Sequence, residues 1–111
     1  MTMIARIAIP KGTAHPCYQL LTVSSSTYDM RLVSAATVKL VSGRAVVKTW
    51  SFTPDAATTE GQFVGRHDFI EADTDTEGTF SLVISLAADG GSIPVKCADR
   101  IRVFDPLKEQ P

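Results

Sequence analysis

What this sequence lacks narrows what it can do. It has no surplus of either charge: eleven lysines and arginines stand against twelve aspartates and glutamates, a net charge of −1. Such a chain projects no long-range field toward nucleic acid or an anionic membrane surface. No apolar run approaches the ~20 residues of a membrane span. The opening MTMIARIAIPKG carries an arginine inside its only apolar stretch, which is too short for the core of a signal peptide. A mature chain starting at or near Met1, made in the cytoplasm without classical secretion, is expected. Cysteine is scarce: Cys17 and Cys97 stand far apart, and buried free thiols are favoured over a bridge. There is no repeat, linker or low-complexity tract, and no segment carries a helical stripe. Glycine-rich phosphate chemistry is absent as well, since Gly90-Gly91 lacks the strand-to-helix context of a phosphate loop.

What is present is alternation. At 111 residues, 44% apolar and 21% charged, the chain suits one domain with one core. Phe80, Leu82, Ile84 and Leu86 alternate with Thr79, Ser81, Val83 and Ser85, the clearest half-buried strand. Each of those four side chains contributes on the order of 2 kcal/mol if fully buried. Further strands are predicted over Ile4–Ile9, Cys17–Val23, Thr37–Val41, Ala45–Phe52, Gln62–Ile70, Ile93–Cys97 and Ile101–Phe104. Turn chemistry separates them at His15-Pro16, Ser24-Ser25-Ser26, Ser42-Gly43, Thr53-Pro54-Asp55, Asp89-Gly90-Gly91 and Asp105-Pro106. Ser42-Gly43 is expected to close a hairpin, and Pro94 to lie at a sheet edge or strand start. Pro54–Glu60 has room for one helical turn. The expected fold is all-β: a single antiparallel β-sandwich of about seven or eight strands, with a small barrel as the second choice. Residues 1–106 form the domain and 107–111 a polar tail.

One stretch needs chemical scrutiny. Residues 73–78, DTDTEG, place acids at alternate positions and a glycine sixth, as an EF-hand calcium loop begins. The twelfth position of such a loop must be a bidentate carboxylate, yet here it is Ile84. Asp and Thr side chains instead compete for local backbone N–H groups, and Gly78 permits a bend before Phe80 enters the core. The stretch reads as a turn, and no metal is expected.

Other chemistry is weaker still. His15, Cys17, His67 and Cys97 offer zinc-ligand types, but His15-x-Cys17 is not a usual ligand spacing. His67-Asp68 resembles half a catalytic triad, although successive strand residues face opposite sides. Arg66, Lys96, Arg100 and Arg102 interleave with Asp68, Asp99 and Asp105, which suits a solvated outer face or a polar protein interface better than a nucleic-acid surface. Trp50, Phe63, Phe69 and Phe80 fit core positions, while Tyr18, Tyr28 and Phe104 lie near edges where they can anchor a partner. The candidate interface is therefore Tyr28, Val95, Arg100, Arg102 and Phe104, with the strand bearing Val95 as a docking edge. A proline at Val95 is expected to weaken assembly while leaving the domain folded. No enzyme, cofactor or small-molecule substrate is expected.

Two resemblances sharpen the expectation. Glu77-Gly78-Thr79-Phe80, entering a strand, is similar to the strand E-to-F corner of immunoglobulin-like domains. Phe80 has no hydroxyl to tie that corner back, and the cysteine-tryptophan-cysteine arrangement is missing. A likeness over residues 4–104 is to the N-terminal domain of tailed-phage upper baseplate proteins. Ser34-Ala35-Ala36-Thr37-Val38 and Glu77-Gly78-Thr79-Phe80 carry it. Members of that family usually continue into helical and receptor-holder regions, whereas this sequence ends shortly after Phe104. The resemblance thus implies a structural virion module that docks by protein–protein contacts, as a symmetric oligomer or ring with other virion proteins. Its place would be the virion, after assembly in the host cytoplasm. A capsid decoration or head–tail neck protein is the alternative location. A host-surface glycan- or peptide-binding adhesin is the alternative of another class.

Overall fold

The computed structural model describes residues 6–88, 90–97 and 99–107. The architecture is all-β, with no α-helix among the described residues. Eight strands follow in order: β1 (Arg6–Pro10), β2 (Tyr18–Ser24), β3 (Val33–Ser42), β4 (Ala45–Pro54), β5 (Gln62–Asp68), β6 (Gly78–Ala88), β7 (Gly91–Val95) and β8 (Arg100–Phe104). Single 3-10 turns lie at Met30–Leu32 and Glu71–Thr74.

The strands form one curled sheet in the order β1-β8-β6-β3-β4-β5-β2, with β7 paired to β6 beside β8. The curl arises in β4. Its residues through Phe52 pair with β3, while Thr53 and Pro54 pair with β5. The expectation of a purely antiparallel sheet needs correction, because β1 runs parallel to β8, from Arg6↔Arg100 to Pro10↔Phe104. A long connection through the whole domain separates these strands in sequence, which a parallel pairing requires. Nor is the curl a closed barrel, since no described strand pairs with the outer edge of β2.

Burial follows the alternation. Phe80, Ile84 and Leu86 of β6 are buried with Val38 and Leu40 of β3, Leu21 and Val23 of β2, and Phe63 of β5. Trp50, Phe63, Phe69 and Phe80 all lie in this core, as their spacing predicts. The Ser42-Gly43 turn closes the β3–β4 hairpin, where Gly43 adopts φ +62°. Pro94 lies in β7, a strand with one described partner.

Several boundaries move. The strand expected over Thr37–Val41 begins at Val33, and the one expected over Gln62–Ile70 ends at Asp68. β7 ends at Val95, so Cys97 lies in the connection to β8 rather than in a strand. Residues 54–60 form no helical turn; Asp55 instead accepts a bond from the Ala57 N–H within a tight loop. Residues 4 and 5 of the first expected strand, Asp89 of the turn, and tail residues 108–111 lie outside the described residues.

Candidate functional site

The five candidate interface residues fall into two groups. Tyr28 and Val95 come together: both line a cleft of about 210 Å³ with Val23, Met30, Leu86 and Ile93. Tyr28 sits in the loop after β2, where Ser25 Oγ accepts the backbone N–H groups of Thr27 and Tyr28 at 3.2 Å each. This turn folds locally because the short hydroxyl side chain substitutes for a backbone acceptor. The ring of Tyr28 packs against the core, which places it as a wall and not as a projecting anchor. On its other side opens a polar cleft of about 390 Å³, lined by Ser25, Ser26, Thr27, Asp29 and Glu60. Asp29 is engaged by Arg31, whose side chain bonds it at 3.0 and 2.8 Å. Those bonds, with one from the Arg31 N–H, hold the Asp29 carboxyl below its usual range.

Arg100, Arg102 and Phe104 form the other group, at alternate positions of β8. Arg100 Nη1 donates to Ser81 Oγ at 3.3 Å, and the Arg102 guanidinium lies 5.4 Å from the Phe104 ring centre. β8 is enclosed by β6 and β1, so these residues offer a sheet face and not an edge.

Val95 has a further constraint. Ala88 pairs with Gly91 across a two-residue turn, and Pro94 has no N–H to give. With bonding direction alternating along an antiparallel ladder, the Val95 N–H faces β6 opposite Ile84. A proline there breaks a bond inside the domain, so the effect of such a variant on assembly has to be read beside its cost in stability.

The acids of residues 73–77 separate to different partners. Asp75 meets Lys48 Nζ at 2.6 Å, Glu77 lies 3.8 Å from Lys11 Nζ, and Asp73 Oδ2 lies 2.9 Å from His67 Nε2. Lys48 is the main reason that the Asp75 carboxyl stays below its usual range. The stretch is a turn, and Gly78 bends there at φ +144°.

His67 is a residue whose partner the sequence conceals. Its neighbour Asp68 points outward to Arg66, as strand alternation requires. The carboxylate at its ring is Asp73, six residues on, delivered by the 3-10 turn after β5. Nδ1 donates to the Ser51 carbonyl at 2.8 Å, and Asp73 Oδ2 also accepts the Ile70 N–H at 2.9 Å. Trp50 stacks on the imidazole at 5.6 Å and 10°, Phe69 meets both rings edge-on, and Trp50 Nε1 donates to the Asp73 carbonyl at 3.3 Å. With both ring nitrogens engaged and the ring stacked, the cluster fixes the chain where β4 passes between β3 and β5. The zinc-ligand types do not assemble around it. His15 and Cys17 are exposed in the loop before β2, and Cys97 stands half-buried beside Asp99.

Two expectations about buried groups reverse. Cys17 is exposed rather than buried, because it precedes β2 instead of belonging to it. Asp99, read as part of a solvated face, is 2% exposed in the connection between β7 and β8. Burial first, and then the nearby Asp99 carboxylate, push the Cys97 thiol up.

Compared with known proteins, the chain matches no family model, no curated protein and no solved structure.

Proposed function

We propose that this chain is a structural module of a tailed-bacteriophage virion, docking in the tail or baseplate through protein–protein contacts. The observation that carries the reading is where the two motif stretches of the resemblance fall. Ser34–Val38 runs along β3, and Gly78-Thr79-Phe80 opens β6, the strand paired with β3 at the centre of the sheet. The resemblance therefore rests on the residues that organise the domain. A non-enzymatic role is part of this reading, and the engagement of the His67–Asp73 pair in internal bonds and stacking supports it.

The immunoglobulin-like sandwich belongs to this proposal. In its support, β8-β6-β3 and β2-β5 repeat the G-F-C and B-E neighbours of such domains. The cleft shared by Tyr28 and Val95 and the β8 face with Arg100, Arg102 and Phe104 are the docking surfaces. Arginine and aromatic side chains are enriched in protein interfaces.

The test is the copy number of this chain per purified phage particle, by quantitative mass spectrometry. A small symmetric number, on the order of 6 to 18, supports a tail or baseplate ring. Hundreds of copies move the module to the capsid as a decoration protein, and absence from particles overturns the virion reading. The polar cleft beside Tyr28, walled by hydroxyls and an aromatic ring, favours a host-surface glycan adhesin as the second reading. Glycan-array binding that is lost in Tyr28→Ala selects it.

A further inference from the structure

Among the described residues no strand covers the outer edge of β2, and this edge differs from the other open edges of the fold. β1 has five residues and ends in Pro10, and β7 contains Pro94 and is followed by Lys96. Charges, prolines, short strands and bulges are the means by which proteins keep edge strands from pairing with another chain. β2, YQLLTVS, has seven residues and no charge, proline or glycine. Its pairing with β5 runs from Tyr18↔Asp68 to Ser24↔Gln62 without a register shift. Its outward row carries Tyr18 and Leu20, which are 50% and 45% exposed.

The backbone direction of that edge can be read from its flanks. The Phe69 N–H bonds the Cys17 carbonyl, and the Ser25 N–H bonds the Gly61 carbonyl. Odd-numbered residues of β2 therefore turn their backbone groups toward β5. Antiparallel alternation then turns those of Tyr18, Leu20, Thr22 and Ser24 toward the open edge. The Leu20 carbonyl accepts a bond from the Gln19 side-chain amide at 3.0 Å, a local cover that an incoming strand would displace.

We propose that β2 is a self-pairing edge: two copies of this chain join antiparallel through their β2 strands, about a two-fold axis at Leu21. At that register Tyr18 faces Ser24 of the partner subunit, and Leu20 faces Thr22 of the partner subunit. All four outward residues then exchange backbone bonds, and β2 brings no like charges together. The flanking Arg66 and Asp68 neutralise each other at 3.0 Å, so the surface beside the seam is also free of repulsion. An isologous contact needs this self-complementarity, and it creates a continuous sheet across the dimer. The pairing does not depend on the virion reading, since it needs only a second copy.

The experiment is sedimentation velocity of the full chain across a concentration series, with reductant present to keep the exposed Cys17 from bridging. The wild-type chain is expected to dimerise. Thr22→Pro removes an outward N–H that the domain itself does not use, and should weaken the dimer at least about tenfold. Leu20→Lys, an exposed substitution that places a charge at the seam, should weaken it about as much. If circular dichroism shows Thr22→Pro unfolded, Leu20→Lys decides. A chain that stays monomeric to several hundred micromolar overturns the proposal and leaves the edge to a different partner strand. A dimer indifferent to the folded variants overturns it too, by placing the contact elsewhere.

Discussion

The two sides of the curled sheet are built on opposite plans. On one side β4 passes from β3 to β5, and the crossing is tied by Trp50, His67, Phe69 and Asp73. Each polar atom of the His67 ring there has a partner within the chain. On the other side β2 and β7 are edge strands that do not pair with each other among the described residues, and the clefts beside Tyr28 open there. The closed side holds a stacked, hydrogen-bonded ring cluster, whereas the open one presents clefts and strand edges that no described strand covers. Strong internal satisfaction removes groups from use by partners, whereas an unpaired backbone edge keeps them available.

Substitutions should separate the two sides, with the largest effect on the closed one. Trp50→Ala removes a ring that is 1% exposed and should cost about 3–5 kcal/mol in urea denaturation. Asp73→Ala removes the partner of His67 Nε2 and the acceptor of the Ile70 N–H, and about 1–3 kcal/mol should be lost in the same measurement. A loss below about 0.5 kcal/mol would mean that the stacked rings alone hold the crossing.

Proline scanning compares the open edges directly. Val95→Pro, with its N–H turned toward β6, should cost about 1–3 kcal/mol. Thr22→Pro, whose N–H faces outward, should cost under about 1 kcal/mol. Equal costs would show that the bonding phase assigned to one of these strands is wrong.

The two thiols offer the smallest contrast. Cys97 is half-buried with its thiol pushed up, so it should react with a disulfide reagent at pH 8 more slowly than the exposed Cys17. The sign for stability follows from the same shift. A folded thiol pKa above the unfolded value stabilises the fold below the ordinary thiol pKa of 9.0, and this contribution is lost as pH rises further. Cys97→Ala should flatten that alkaline decline, read by thermal melts between pH 8 and 10.5.

Much of the fold was legible because alternation is a local signal. Phe80, Ile84 and Leu86 had to share one face, and Ser42-Gly43 had to turn, whatever the rest of the chain did. The core aromatics could be named for the same reason. The parallel β1–β8 pair could not, since its two strands lie at opposite ends of the sequence and alternation is silent on partners. The candidate site was legible only residue by residue. Tyr28 and Val95 could be singled out separately, but nothing in their spacing joins them in one cleft. The burial of Asp99 was hidden by its arginine neighbours, which suggest a solvated face.

The sequence alone determined an all-β domain, its turns, the hydrophobic face of each main strand and a net charge of only −1. Those properties follow from side-chain type and period, and both act over a few residues. Only the tertiary structure decided that Asp73 and not Asp68 meets His67, that Cys17 is exposed, and that no described strand covers the uncharged outer edge of β2. Each of these depends on which distant strand arrives beside which. That choice is made by long-range packing of the whole core, not by any short stretch of chain.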